Sequence, residues 1–203
     1  MKSQITTKTG DAGEAVALNG NRYSKAHPLM ECVGAVDELR AHTALLRQHL
    51  IESEKPDRDE LAAFLLWVLH TYFLAGAACS DPERARPEFR HDEIGADHLR
   101  YLEKEQARLE QSVQLPHAFI VCAGNGLAAQ ADVTAAVSRR FERALVRLRD
   151  ACSGFDADTL LAYTNRLSDY LYMLARYLEH PSHKAVDYNV LLQQWTGQNG
   201  AEA

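Results

Sequence analysis

The stretch Leu61–Cys79 (LAAFLLWVLHTYFLAGAAC) limits what this chain can become more than any other part of it. Only His70 and Thr71 interrupt the apolar run, which reaches the minimum length for a membrane span. It is rich in alanine, and its flanks carry Asp57, Asp59, Glu60 and Asp81 rather than the Lys and Arg anchors of a spanning helix. A helix apolar all round is also what the centre of a bundle requires. We therefore read it as a buried helix of a soluble protein with no membrane partner.

The remaining sequence fits that reading. Helical patterns cover about 29–50, 58–79, 92–113, 127–150 and 157–179, with breaks at Lys55-Pro56, Ser80 to Pro87, Leu115-Pro116 and Ser153-Gly154. Such short connections favour antiparallel neighbours and hence an all-α bundle. The chain of 203 residues then reads as a single domain: an N-terminal loop over 1–27, a bundle over 28–180 and a tail over 181–203. Strand alternation is confined to the short run Phe119 to Cys122. A net charge of −6 argues against nucleic acid as a partner, because phosphate backbones need a basic surface. Cys32, Cys79, Cys122 and Cys152 form no CxxC pair, so they read as small buried hydrophobes of a reducing compartment, the cytoplasm.

The last two helical patterns carry polar faces opposite their core stripes. In the fifth, Tyr163, Leu167, Leu171, Leu174 and Leu178 recur at helical steps, with Asn165, Asp169, Tyr172 and Arg176 opposite. In the fourth, Val133, Val137, Phe141, Ala144 and Leu148 form the expected core face, with Asp132, Ala135, Arg139, Glu142 and Arg143 opposite. Taken alone, such mixed-charge faces are solvated surfaces laced with weak ion pairs.

Two loops have compositions that chemistry uses. Thr6-Thr7-Lys8-Thr9-Gly10-Asp11-Ala12-Gly13 offers convergent backbone N–H groups, hydroxyls and a cation to an anion, and Asp11 could hold a magnesium ion. It is not a P-loop, since Lys8 precedes the glycines; a flexible polar terminus is the commoner meaning of such composition. Gly124-Asn125-Gly126-Leu127-Ala128-Ala129 fits GxGxxA, but no βαβ pattern surrounds it, so a tight turn into the fourth helix is the better account. The histidines show no metal-ligand spacing; His180 and His183 flank Pro181 at a helix end.

Three stretches, in this order, resemble the trimeric ATP:cob(I)alamin adenosyltransferases of the propanediol-utilisation type. They are Thr7-Lys8-Thr9-Gly10-Asp11-x-Gly13 with Gly20, Arg22 and Lys25; Arg139-Arg140-Phe141-Glu142-Arg143, similar to RRxER; and Asn165-Arg166-Leu167-Ser168-Asp169-Tyr170-Leu171, similar to NRLSDYL. Gly34 to Leu39 and Leu115 to Gly124 add weaker likenesses. The resemblance implies a ferritin-like, five-helix antiparallel bundle that assembles as a homotrimer, with ATP between subunits and Mg²⁺ accompanying it. It implies transfer of the 5′-deoxyadenosyl group of ATP to Co(I) of cobalamin or another corrinoid, with a cob(II)alamin reductase or an adenosylcobalamin-dependent enzyme as a further partner. It places Thr7, Lys8, Thr9, Gly10, Asp11, Gly13 and Lys25 on the phosphates. Arg139 would neutralise leaving-group charge, and Glu142, Arg143, Asn165 and Asp169 would orient nucleotide and metal. Arg139, Asp169 and Asn165 are thus the implied catalytic residues, and Phe119 would lie beside the corrin.

The departures from that pattern carry their own expectations. Glu14-Ala15 replaces two hydroxyls usual after Gly13 and adds a negative charge near a triphosphate. Asp132 stands where the family often has histidine. Ala135 stands where the family has an arginine that pairs across subunits with the aspartate equivalent to Asp37. The resemblance therefore implies low activity, compensation by Arg40, Arg139 or Arg143, or a non-catalytic relative that binds nucleotide or corrinoid as a sensor or carrier.

Overall fold

The computed structural model describes residues 6, 8–90, 92–181 and 183–190. Among them, five α-helices follow a short hairpin: α1 Pro28–Glu52, α2 Arg58–Ser80, α3 Ala96–Glu110, α4 Gly126–Ala151 and α5 Asp158–Glu179. The expected helices match, apart from the third, which is trimmed at both ends. Gly95 starts α3 by donating its N–H to His98 Nδ1 at 3.1 Å. The residues just before it serve another purpose, since Glu93 pairs with Arg84 and Arg90. The other termini are locally specified. His27 accepts from Leu29 N ahead of Pro28 at the first turn of α1, and Asn125 accepts from Ala128 N at 2.9 Å to cap α4. The GxGxxA run is therefore a helix cap, as its context suggested.

The N-terminal stretch is more ordered than a loop. β1 Glu14–Val16 pairs antiparallel with β2 Arg22–Ser24. Ala17 N–H donates to Asn21 O at 2.9 Å, and Gly20 takes a φ of 86°, which glycine adopts without steric cost. Strands of three residues are too short to display the alternation by which strands are recognised.

Within the bundle α2 lies beside α1, α1 beside α4, α4 beside α5, and α5 beside α3. α2 is thus not central, as its composition implied. It is long and apolar enough to cross a membrane, yet it is half buried against this chain's own core. Leu61, Phe64, Leu65, Val68 and Tyr72 point inward, while Ala63, Leu66, His70 and Phe73 are exposed. Aromatic side chains span the gap from α2 to α5: Phe64 lies 4.7 Å from Tyr170, and Thr71 hydrogen-bonds the Tyr163 hydroxyl at 2.7 Å. Burial pushes the Tyr72, Tyr163 and Tyr170 phenols well up from their ordinary value.

Three further expectations need correction. On α4, Val133 is 46% exposed, whereas Ala135 is 3% exposed. Because α1 and α5 both pack on α4, its buried arc runs through Ala128, Ala131, Ala135, Ser138, Phe141 and Leu145. Arg176 on α5, expected among the polar residues, is completely buried. The cysteines are not all small buried hydrophobes: Cys122 is exposed, while Cys32 and Cys79 meet across α1 and α2 with sulfurs 3.4 Å apart.

The position of Ala135 bears on Asp37. Ala135 faces its own chain's interior, so it cannot be the surface partner that Asp37 lacks. Arg40 takes that role, with Nη2 3.1 Å from Asp37 Oδ1 one turn along α1. An arginine at 135 would have to enter the core. Ala135→Arg should therefore destabilise the protein by about 3 kcal/mol or more, combining overpacking with an unpaired buried charge. Urea unfolding checks this, and a variant as stable as the parent would refute it.

Candidate active site

Two consecutive turns build the N-terminal loop. Asp11 N–H donates to Lys8 O at 3.4 Å and Gly13 N–H to Gly10 O at 3.2 Å. Lys8 and Gly13 hold positive φ values of 61° and 81°. Successive turns of this kind gather backbone N–H groups into an anion-binding concavity. Lys25 ties the loop to the hairpin: its Nζ donates to Gly10 O at 2.9 Å and its backbone N–H to Gly13 O at 2.8 Å. Lys8, Thr9 and Asp11 are exposed beside it. Thr7 lies outside the described residues. Glu14, whose charge threatened a bound polyphosphate, sits 3.8 Å from Arg22 on the diagonal of the hairpin, a half-exposed pair that offsets its charge only weakly.

A second set of residues comes from the outer faces of α4 and α5. Asn165 Nδ2 donates to Glu142 Oε1 at 3.4 Å, and Asn165 Oδ1 accepts from Arg166 Nη1 at 3.0 Å. Asp169, half-buried, follows one turn along the same face. The α4 arginines divide into two groups. Arg140 pairs with Glu38 at 2.5 Å, Arg147 with Glu31 at 2.5 Å and Arg149 with Asp150 at 2.9 Å. Arg139 and Arg143 are exposed and make no ion pair with a described residue. They stand one turn apart, a spacing at which like charges repel. Two adjacent unbalanced guanidiniums beside a carboxylate–amide pair form a receptor for a polyanion.

The hydrogen bonds of Asp11, Gly13 and Lys25 stay within the loop and hairpin. The hairpin packs where Asn19, Tyr23 and His27 line a hollow with Leu148, Ala151 and Cys152. Leu148 lies nine residues beyond Arg139, about 13 Å along the helix axis. Leu18 N–H and Asn19 N–H bond Ser80 at 2.8 Å and 3.3 Å, fixing the hairpin at that end.

Phe119 is separate again. It is 79% exposed on a strip held by Val121 N–H to Lys184 O and Val186 N–H to Phe119 O, both 2.8 Å. An aromatic ring so placed is available to a flat apolar ligand.

A model of the cobalamin adenosyltransferase family matches residues 5–178. The chain belongs to that family. It is 32% identical over 180 residues to the corrinoid adenosyltransferase PduO of Citrobacter freundii, covering 89% of this chain and 51% of that protein. The chain thus spans about half the length of that relative. The cobalamin adenosyltransferase of Cupriavidus metallidurans is 35% identical over 176 residues, covering 87% of this chain and 88% of that one. Among solved structures, a variant PduO-type ATP:corrinoid adenosyltransferase from Lactobacillus reuteri, complexed with cobalamin and ATP, superposes with a TM-score of 0.77. It is 26% identical, with 92% of this chain and 97% of that chain covered.

Sequence reasoning missed Glu179, which accepts from Gly124 N–H and meets His183, and misplaced Arg176, which pairs with Glu179 and Asp132. Their only signal was a charge embedded in the apolar run Tyr170 to Leu178, with Asp132 on the facing helix.

Arg139 and Arg143 make no ion pair that ties α4 to the rest of the described residues. Arg139→Ala or Arg143→Ala should leave the thermal midpoint of the ligand-free protein unchanged or raised, by relief of like-charge repulsion. Scanning calorimetry checks this; a clear drop in both variants would give these arginines a structural role.

Proposed function

We propose that this protein transfers the 5′-deoxyadenosyl group of ATP to the Co(I) of a corrinoid, giving an adenosylcorrinoid and triphosphate. The observation that carries the reading is the unbalanced pair Arg139 and Arg143 beside Glu142, Asn165 and Asp169, in a chain of this family. Co(I) is itself the nucleophile, so the chain need not supply one. The cobalt electron pair forms the Co–C5′ bond, the C5′–O bond breaks, and its electron pair leaves on triphosphate as cobalt becomes Co(III). The protein's tasks are then to place C5′ and to stabilise the departing charge. Arg139 and Arg143 meet the triphosphate from the helix side. The Lys8–Gly13 loop, braced by Lys25, meets it from the other. Asn165, Glu142 and Asp169 orient the nucleotide, and Phe119 faces the corrin.

The assembly in this reading is a homotrimer. One subunit's loop reaches a neighbour's α4 where His42, Val133, Ala136, Arg140 and Arg143 line an open hollow. Exposed Leu66 and Phe73 on α2 are further apolar surface for such an assembly. No group of three metal-ligating side chains occurs among the described residues. Mg²⁺ would arrive with ATP and be touched by one or two carboxylates, such as Asp11 or Asp169. A cytoplasmic setting with a reductase supplying the Co(I) state, or an adenosylcobalamin-dependent enzyme taking the product, completes the reading. The sensor or carrier alternative is weakened at one point, because Asp37 has a partner in Arg40 despite Ala135.

Anaerobic incubation with ATP and chemically reduced cobalamin should show the absorbance of adenosylcobalamin. Lys8→Ala and Arg139→Ala should each weaken ATP binding or turnover at least about tenfold, the usual worth of a charge-assisted contact. Unchanged calorimetric affinity and rate in both would remove these residues from the site. Sedimentation at micromolar concentration should give a trimer; a stable monomer is the opposing result.

A further inference from the structure

The far ends of α4 and α5 carry charged groups that the proposed transfer does not use. Arg176 is completely buried; its Nη2 donates to Asp132 Oδ2 at 2.5 Å, and its Nη1 lies 3.4 Å from Glu179 Oε1. Burial raises the Asp132 carboxyl from its ordinary range, with Arg176 opposing that shift. Glu179, with a side chain 2% exposed, touches more than Arg176. Its Oε2 accepts from Gly124 N–H at 2.9 Å, and its Oε1 lies 2.8 Å from His183 Nδ1. One residue earlier, Leu178 O accepts from Asn125 Nδ2 at 3.0 Å.

Gly124 and His183 are the points at which two segments run into the Phe119 strip. Beyond its backbone bonds, the strip is tied by Cys122, whose side chain hydrogen-bonds the Asp132 carboxylate. Phe119, Val121 and Cys122 are exposed, and Ile120 is half-buried. Apolar packing therefore cannot fix its position, and the two backbone bonds join it only to an equally exposed segment, Lys184 to Val186. Glu179 is the buried group that binds both segments at their roots. Arg176 in turn holds the Glu179 carboxylate against α5. A stability role alone explains the cluster poorly, because apolar side chains of similar volume stabilise an interior as well as a buried ion pair or better.

We propose that Glu179, held by Arg176 and Asp132, is a positioning residue that sets the Phe119 strip against the corrinoid. The inference rests on the reading of Phe119 as the corrin-facing residue, and its consequence is confined to one substrate. The nucleotide residues Arg139, Glu142 and Asn165 lie three to four turns away along α4 and α5.

Glu179→Ala removes the acceptor for Gly124 N–H, and Glu179→Gln retains one. Loss of a charge-assisted hydrogen bond typically costs about tenfold or more. Glu179→Ala should raise the corrinoid KM by at least that factor while the ATP KM stays within about twofold, and Glu179→Gln should recover most of the loss. Amide hydrogen exchange of the trimer should quicken at 119–124 and not at 139–143. If Glu179→Ala does not fold, Glu179→Gln alone is read, with a smaller shift in the corrinoid KM expected. Equal rises in both KM values, or exchange at 119–124 unchanged in a folded variant, overturn the proposal. A parent protein that forms no adenosylcobalamin overturns the functional reading and the corrinoid half of this one. Exchange then decides separately whether Glu179 holds the strip.

Discussion

The close antiparallel packing of α4 on α5 is the constraint on which the other features depend. Ala128, Ala131, Ala135 and Ser138 give α4 a face of small residues on its buried side. Two polar contacts fix the register. Asp132 meets Arg176 at one end and Glu142 meets Asn165 at the other, so ten residues forward on α4 correspond to eleven backward on α5. That register places Arg139, Glu142 and Arg143 alongside Asn165 and Asp169. A slip of one turn would separate Glu142 from Asn165 and leave the buried Arg176 without Asp132, which is strongly unfavourable. The ion pair is thus weak evidence for net stability but good evidence for alignment.

A similar ruler runs between α1 and α4. Glu31 pairs with Arg147 and Glu38 with Arg140, each pair two turns from the next on both helices. These exposed pairs contribute little energy individually. They do decide which arginines are committed to the bundle. Arg140 and Arg147 face α1; Arg139 and Arg143 point elsewhere, and no carboxylate of the described residues neutralises them. RRxER therefore encodes a division: one arginine for the helix neighbour and two left without an ion pair.

Helix spans were legible in the sequence because Pro, Gly and capping residues mark them locally, as at His27-Pro28 and Asn125-Gly126. The identity of the candidate site residues was legible only through the ordered resemblance, since a polar helix face alone reads equally well as a solvated one. Which face is buried was less legible. A helix with two neighbours buries more than one stripe, so Ala135 and Arg176 were placed outward and Val133 inward. The hairpin at 14–24 is too short to show a period. Contacts between residues distant in sequence, such as Cys32 with Cys79 or Glu179 with Gly124, leave no local trace at all.

The proposed pairing of one chain's Lys8–Gly13 loop with another's arginine face has an electrostatic consequence. In a lone chain both sets of donors are exposed to water and ions, where attraction for phosphate is weak and screened. In the proposed assembly, one chain's loop over another's α4 would remove water from between Lys8, Arg139 and Arg143, and the same charges would then act through a lower effective dielectric. Assembling such a cluster without an anion would be repulsive. A triphosphate between the chains reverses the sign of that interaction, so nucleotide binding and subunit contact should strengthen each other. Five carboxylates of this chain of net charge −6 are engaged away from that cluster: Glu31 and Glu38 in α1–α4 pairs, Glu14 in the hairpin, and Asp132 and Glu179 with the buried arginine.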